Sequence, residues 1–132
     1  MIGGVRVVKY ILRVFPFLFL VAGCNPSTAL QDSKQQAFLM KSTAENLYIS
    51  IRKGWHEGKV TDEEMTAARK AIEKYYQAQM IWYEELVAAE KEKDYSLSKP
   101  GRRQNIIKAA TTVSDVIVEL TRIWGKVKKR SE

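Results

Sequence analysis

Cysteine and histidine are almost absent from this chain of 132 residues, which contains one of each. A single cysteine cannot form a disulfide within the chain. A zinc site needs three or four ligands, and one histidine with one cysteine does not supply the usual set. The sequence therefore predicts neither a disulfide framework nor a metal centre, and no residue pattern indicates another cofactor.

The sequence also lacks the patterns of a β-sheet and of a common active site. No Gly-Asn or Gly-Asp hairpin turn occurs, and no alternation of apolar and polar residues persists beyond a few positions. The carboxylate pairs Glu63-Glu64 and Glu84-Glu85 are sequence neighbours, which point about 100° apart on a helix. Such pairs cannot act together as an acid and a base on one substrate. We predict that the protein is not an enzyme.

The N-terminal segment is basic, then apolar, and then rich in small residues. Residues 1–13 carry three positive charges, residues 14–22 form an uncharged apolar run, and Gly23 and Cys24 follow. This order is typical of a secretory signal peptide. The apolar run is far shorter than the ~18–20 residues that span a bilayer, so a permanent transmembrane helix is the second interpretation.

The stretch Leu20-Val-Ala-Gly-Cys24 resembles the lipobox of bacterial lipoproteins. An aliphatic residue, Val21, lies three positions before the cysteine, and two small residues separate them, although Leu is commoner than Val there. The resemblance implies cleavage between Gly23 and Cys24. It also implies that Cys24 receives a diacylglyceryl thioether and an N-acyl chain such as palmitate. It covers only the first 28 residues, and we recognise no family in the remainder.

The same resemblance implies where the protein is held. Several acyl chains make a stable anchor, because each buried CH₂ contributes roughly 0.8 kcal/mol. In Gram-negative lipoproteins, Asp after the cysteine favours retention in the inner membrane. This chain has Asn25 instead, which implies the outer membrane and a domain facing the periplasm. In a Gram-positive host the anchor would lie in the single cell membrane. Residues 24–28 then form a short acylated tether.

The net charge supports no nucleic-acid function. The whole chain carries +7, but three of the cations belong to the signal segment, so the remainder carries a mild +4. A mildly basic exported domain is compatible with weak attraction to anionic headgroups or other acidic envelope polymers. Solubility alone explains the same charge.

Residues 29–130 are predicted to form one domain of three helices, at about 29–55, 62–93 and 99–128. Apolar residues recur at helical spacing in each segment. Short connections favour an all-α, antiparallel, up-down-up three-helix bundle roughly 40–45 Å long. The predicted core positions are Ala37, Met40, Ala44, Leu47, Tyr48, Ile51 and Trp55, then Met65, Ala68, Ile72, Tyr75, Tyr76, Gln79, Tyr83 and Leu86, then Ile106, Ala109, Ala110, Val113, Val116, Ile117, Leu120, Trp124 and Val127.

Local signals mark the helix ends. Thr61 and Glu64 have the spacing of a capping box at the start of the second helix. Gly54 and Gly58 mark the end of the first helix, because Gly commonly follows a helix end. Pro100 fits a first helical turn, which makes Ser98 the predicted cap of the third helix.

The third helix carries a second, neutral stripe beside its core stripe. An isolated three-helix bundle does not need so wide a neutral surface. The stripe is therefore a candidate surface for self-association or for a partner helix, and the alternative is an ordinary exposed surface. Phe38 and Ile49 also lie off the core stripe of the first helix. The neutral stripe comprises Ile107, Thr111, Ser114, Val118, Thr121 and Gly125.

These expectations combine into one functional prediction. The chain is predicted to be a small lipid-anchored envelope protein that acts by binding, with no small-molecule substrate. It would be a structural or accessory subunit that interacts through its helices or with its own copies. The alternative is a plasmid- or phage-type exclusion lipoprotein that blocks a receptor or channel.

Overall fold

Three helices make up the fold of residues 28–131, which are the residues that the computed structural model describes. Helix α1 spans Ala29–His56, α2 spans Asp62–Lys91 and α3 spans Arg102–Ser131. Each helix packs against both others, and the described residues contain no strand. The prediction of an all-α three-helix bundle is confirmed. The predicted signal peptide, cleavage site and acylated Cys24 lie outside the described residues.

Two ion pairs between helices show that successive helices are antiparallel. Lys34, near the start of α1, pairs with Glu90 near the end of α2. Arg130, near the end of α3, pairs with Glu64 in the first turn of α2. One end of the bundle therefore holds the start of α1 and the α2–α3 loop. The other end holds the α1–α2 loop and the end of α3.

The capping box at the start of α2 is confirmed. The Glu64 amide donates to Thr61 Oγ1 at 3.1 Å, and the Thr61 amide donates to Glu64 Oε1 at 3.0 Å. These reciprocal bonds satisfy two amides that a helix start would otherwise leave without partners. Val60, just before the cap, is buried, so the chain enters α2 from the core.

The two glycines near the end of α1 have different roles. Gly58 follows the helix with φ of +75°, a backbone conformation that favours glycine. Gly54 lies inside α1, and a Cβ there would be 2.9 Å from Val60 Cγ2 and 3.4 Å from Trp124 Cζ3. The prediction that Gly54 ends the helix is therefore wrong. The absence of a side chain at Gly54 allows the α1–α2 loop and α3 to approach α1 closely.

The core of α2 differs from the predicted stripe in its second half. Tyr76 and Tyr83 are exposed and Gln79 is half-buried, so these three core predictions are wrong. Ala78 and Trp82 are buried in their place. The Trp82 indole, 1% exposed, donates to Ser33 Oγ at 2.9 Å. Burying the larger indole, with a hydrogen-bond partner for its N–H, outweighs burying the neighbouring Tyr83 ring.

Candidate interaction surfaces

The neutral stripe predicted on α3 is only partly available to a partner. Ile107, Thr111 and Gly125 are exposed, whereas Val118 and Thr121 are half-buried. Ser114, near its centre, is 5% exposed and belongs to the bundle interior. Thr111 and Thr121 donate their hydroxyls to the backbone carbonyls four residues earlier, at 2.8 and 2.7 Å. The stripe is therefore an interrupted surface, and the hydroxyls of its two threonines already have partners within α3.

A more continuous apolar surface lies on α2. Four of its apolar side chains are exposed and follow one another at spacings of four, three and four residues. They are Tyr76 (50% exposed), Met80 (63%), Tyr83 (39%) and Val87 (51%). We call these four residues the α2 seam. At about 100° per residue they occupy a strip only about 60° wide along the helix.

An exposed aromatic residue of α1 lies at the same height as the C-terminal end of the α2 seam. Phe38, which is 67% exposed, lies one helical turn after Lys34 on α1. Val87 lies one turn before Glu90 on α2. Because Lys34 and Glu90 pair across these two antiparallel helices, Phe38 and Val87 lie at similar heights along the bundle. An exposed aromatic ring on α1 is therefore level with the C-terminal part of the seam.

A polar group without a partner lies beneath the same region. Tyr75 is 1% exposed, and its hydroxyl has no hydrogen-bond partner among residues 28–131. Burial raises the pKa of Tyr75, and the nearby Glu45 carboxylate raises it further. The hydroxyl therefore stays neutral at all physiological pH values. The ring packs edge-to-face on Tyr76, with centroids 5.2 Å apart.

A buried charge cluster organises the end of the bundle where α1 begins. The Arg102 guanidinium, 2% exposed, donates to Asp94 at 2.7 Å, to Glu92 at 2.8 Å and to Glu85 at 3.3 Å. Glu85 also accepts from the Asn105 amide at 3.1 Å. One planar group with donors in a fixed fork can bind three carboxylates in this way, which a lysine cannot do.

Asp94 holds the α2–α3 loop in shape. Its carboxylate accepts from the amides of Ser98 and Lys99 at 2.8 and 3.0 Å, as well as from Arg102. Desolvation opposes ionisation, but these donors hold the pKa of Asp94 well below its usual range. Ser98 Oγ also donates to Asp94, and α3 begins only at Arg102. The prediction that Ser98 caps α3 near residue 99 is therefore wrong.

The opposite end of the bundle is also fixed by polar contacts. Glu64 accepts from the Arg130 guanidinium, which lowers the pKa of Glu64 to about 2. The Trp55 indole donates to Asp62 at 2.8 Å, and Arg69 lies 5.0 Å from the centre of the Trp55 ring. Arg130 also donates to the Lys59 carbonyl at 3.0 Å, so α3 is tied to the α1–α2 loop as well as to α2, and the end of α1 is tied to the start of α2.

The described residues offer no arrangement typical of a metal site or of a membrane span. No group of three or more His, Cys, Asp or Glu within residues 28–131 could hold a metal ion. His56 is exposed at the end of α1, with its ring 5.0 Å from that of Trp55. None of α1, α2 and α3 combines the length and the apolar content needed to cross a bilayer.

Comparison with known proteins gives no relative for this bundle. No family model, no curated protein and no solved structure matches the chain. The features of the chain that indicate a function are therefore its N-terminal sequence and the surfaces described above.

Proposed function

We propose that the chain is a lipid-anchored bacterial envelope protein that acts by binding proteins, either partners or its own copies, through its helices. The proposal of a lipid anchor is supported by the order of basic, apolar and small residues that ends in Leu20-Val-Ala-Gly-Cys24. The same proposal gives a role to the only cysteine of the chain. Acylated at Cys24, the domain would follow a tether of four residues, 25–28.

The bundle itself supports a binding role. The α2 seam is exposed and apolar along about three helical turns, as in helices that pack against a partner. The charged clusters around Arg102 and Arg130 are occupied by contacts within the bundle. They stabilise the two ends and leave the side of the bundle as the candidate contact surface.

The anchor is tested by metabolic labelling of the full chain with an alkyne-bearing fatty acid in a bacterial host. The native protein should become labelled and should migrate as a cleaved form. Cys24→Ser should remain a longer, unlabelled precursor, and globomycin should make the native precursor accumulate. A label that persists on the Cys24→Ser protein would overturn the proposed lipid anchor.

Asn25→Asp is the matched variant for location. In a Gram-negative host it should retain the label, because the lipobox is unchanged, and it should move from the outer to the inner membrane fraction. Equal distribution of both labelled proteins between the fractions would contradict the outer-membrane part of the proposal. That result would leave acylation intact.

A further inference from the structure

We propose that the α2 seam is a homodimer contact, in which the seams of two copies anchored in the same membrane pack together in parallel. The parallel orientation depends on the lipid anchor proposed above, and the packing itself depends on the geometry of α2. Three features support this contact: the spacing of the seam, the charges around it and the position of the anchor.

The spacing of the seam is that of a helix–helix contact. Tyr76, Met80, Tyr83 and Val87 repeat at four, three and four residues, which is the alternation of core positions in a two-stranded coiled coil. Glu73 and Glu90 occupy the positions that would continue the pattern, so the apolar part is about two heptads long. A second helix with the same spacing can interlock with these four side chains.

The width and charge of the surface argue against the membrane as its occupant. Helices that lie on a bilayer have a broad apolar face bordered by Lys and Arg. The seam is only about 60° wide, and Gln77, Gln79 and Glu84 border it along its length. Between Glu73 and Glu90, α2 carries one cation, Lys74, on the far side of the helix. Lys91 lies just beyond the C-terminal end of the seam, and along the seam itself Glu84 is the only bordering charge. Anionic headgroups would find no row of cations there, whereas a neutral apolar helix matches the surface.

The position of the anchor selects a second copy in one orientation. The four residues between Cys24 and α1 span at most about 14–18 Å, including the links at both ends. The start of α1 is tied to the α2–α3 loop, since the Leu30 amide donates to the Tyr95 carbonyl at 2.9 Å. Two anchored copies therefore present the C-terminal ends of their α2 helices to the same membrane. Confinement to one layer raises the effective concentration of each copy, so that a short seam can suffice.

Parallel pairing makes a prediction for engineered cysteines. Around a two-fold axis parallel to α2, residue 80 of one copy meets residue 80 of the other, and residue 83 meets residue 83. Met80 and Tyr83 are exposed, so Met80→Cys and Tyr83→Cys should not disturb the bundle. The native cysteine is acylated in the proposed mature protein, which leaves the new thiol as the only free one. Lys108→Cys, exposed on α3, is the matched control.

The experiment is mild copper-phenanthroline oxidation of membranes that contain each full-length variant, followed by non-reducing electrophoresis. Met80→Cys and Tyr83→Cys should each give at least about tenfold more dimer than Lys108→Cys, because paired thiols in one layer meet at a high effective concentration. Adding Met80→Glu to Tyr83→Cys should remove the dimer, and adding Lys108→Glu should not.

The other outcomes are each decisive. Dimer no greater than in the Lys108→Cys control overturns the homodimer. A cross-linked product of a different mass shows that another protein covers the seam, and dimers that need both variants in one sample show antiparallel packing. Dimers of the native protein would show that Cys24 is a free thiol. That result contradicts the lipid anchor, and the seam is then judged from the same variants in a Cys24→Ser background.

Discussion

Removal of the Arg102 side chain should destabilise the bundle more than removal of any exposed charge. In Arg102→Met the apolar chain fills most of the same space, but three carboxylates lose a buried cation. Breaking a buried ion pair costs about 3–5 kcal/mol when a charge is left without any partner. Here the carboxylates retain other donors, because Asp94 still accepts from two amides and Glu85 from Asn105. We therefore expect a loss of about 2–3 kcal/mol in the free energy of unfolding.

The assay is urea and thermal unfolding of the soluble chain from Ser27 onward, followed by far-UV circular dichroism. For a domain of this size the expected loss lowers Tm by roughly 10–20 °C. The Tm of Arg102→Lys should lie between those of the native chain and of Arg102→Met. The lysine keeps the positive charge, but one ammonium cannot satisfy three carboxylates in the geometry of a guanidinium.

The control is Arg122→Met, which removes an exposed arginine whose side chain is 61% accessible and pairs with Glu119 one turn away. Its effect should stay below about 0.5 kcal/mol, as is usual for surface pairs. Equal stability of Arg102→Met and the native chain would refute our reasoning. It would show that the contacts within the Arg102 cluster only offset the free energy cost of removing its charged groups from water.

Two further predictions concern the glycines of the bundle and its acid stability. Gly54→Ala should destabilise the bundle by about 1–3 kcal/mol through overpacking. Gly125→Ala, where a Cβ meets nothing within 4 Å, should stabilise it by up to about 1 kcal/mol in the same unfolding assay; loss of stability in Gly125→Ala would mean that this part of the neutral stripe is closely packed. The Arg130 contact lowers the pKa of Glu64 from 4.5 to about 2, so its stabilisation is complete above pH 4.5 and is lost as the pH falls toward 2. Glu64→Gln should flatten that part of a plot of stability against pH, and an unchanged slope would contradict the assignment.

The helices could be predicted from the sequence because their signals are local. The capping box at Thr61 and Glu64 needs only residues three positions apart. On α3 the predicted core positions from Ile106 to Leu120 are all buried, since the charged residues of that helix leave a clear apolar face. The fold class follows from such patterns and from short connections.

The core prediction fails at two residues of the α2 seam, Tyr76 and Tyr83, because α2 has two apolar stripes. Tyr75 and Trp82 lie on one stripe and Tyr76 and Tyr83 on the other, about 100° apart. Periodicity shows that both stripes exist, but it does not show which one faces α1 and α3. Burial of Trp82 against Ser33 decides this, and that contact joins residues 49 positions apart.

The Arg102 cluster had no sequence signal at all. Its carboxylates lie 8, 10 and 17 residues before the arginine, and no local rule brings them together. Arginine side chains are also mostly exposed in folded proteins, so the residue type alone predicts an exposed Arg102. The loop turns back through positive φ values at Lys93 and Leu97, neither of which is glycine. The folded conformation of the α2–α3 loop brings Arg102 and its three carboxylates together, and the sequence pattern does not predict that conformation.

The bond between the Leu30 amide and the Tyr95 carbonyl also determines how the bundle would respond to mechanical force. A pull on the chain before Thr28 enters the bundle at the first turn of α1, where this bond and the Lys34–Glu90 pair join α1 to its neighbours. When the pull is directed along α1, the contacts of all its turns are loaded together and the helix must slide. When it is directed sideways, the same two contacts must break before α1 can peel away. The first turns of α1 are therefore fastened to the α2–α3 loop and to α2 at the point where tension from the N-terminal side arrives.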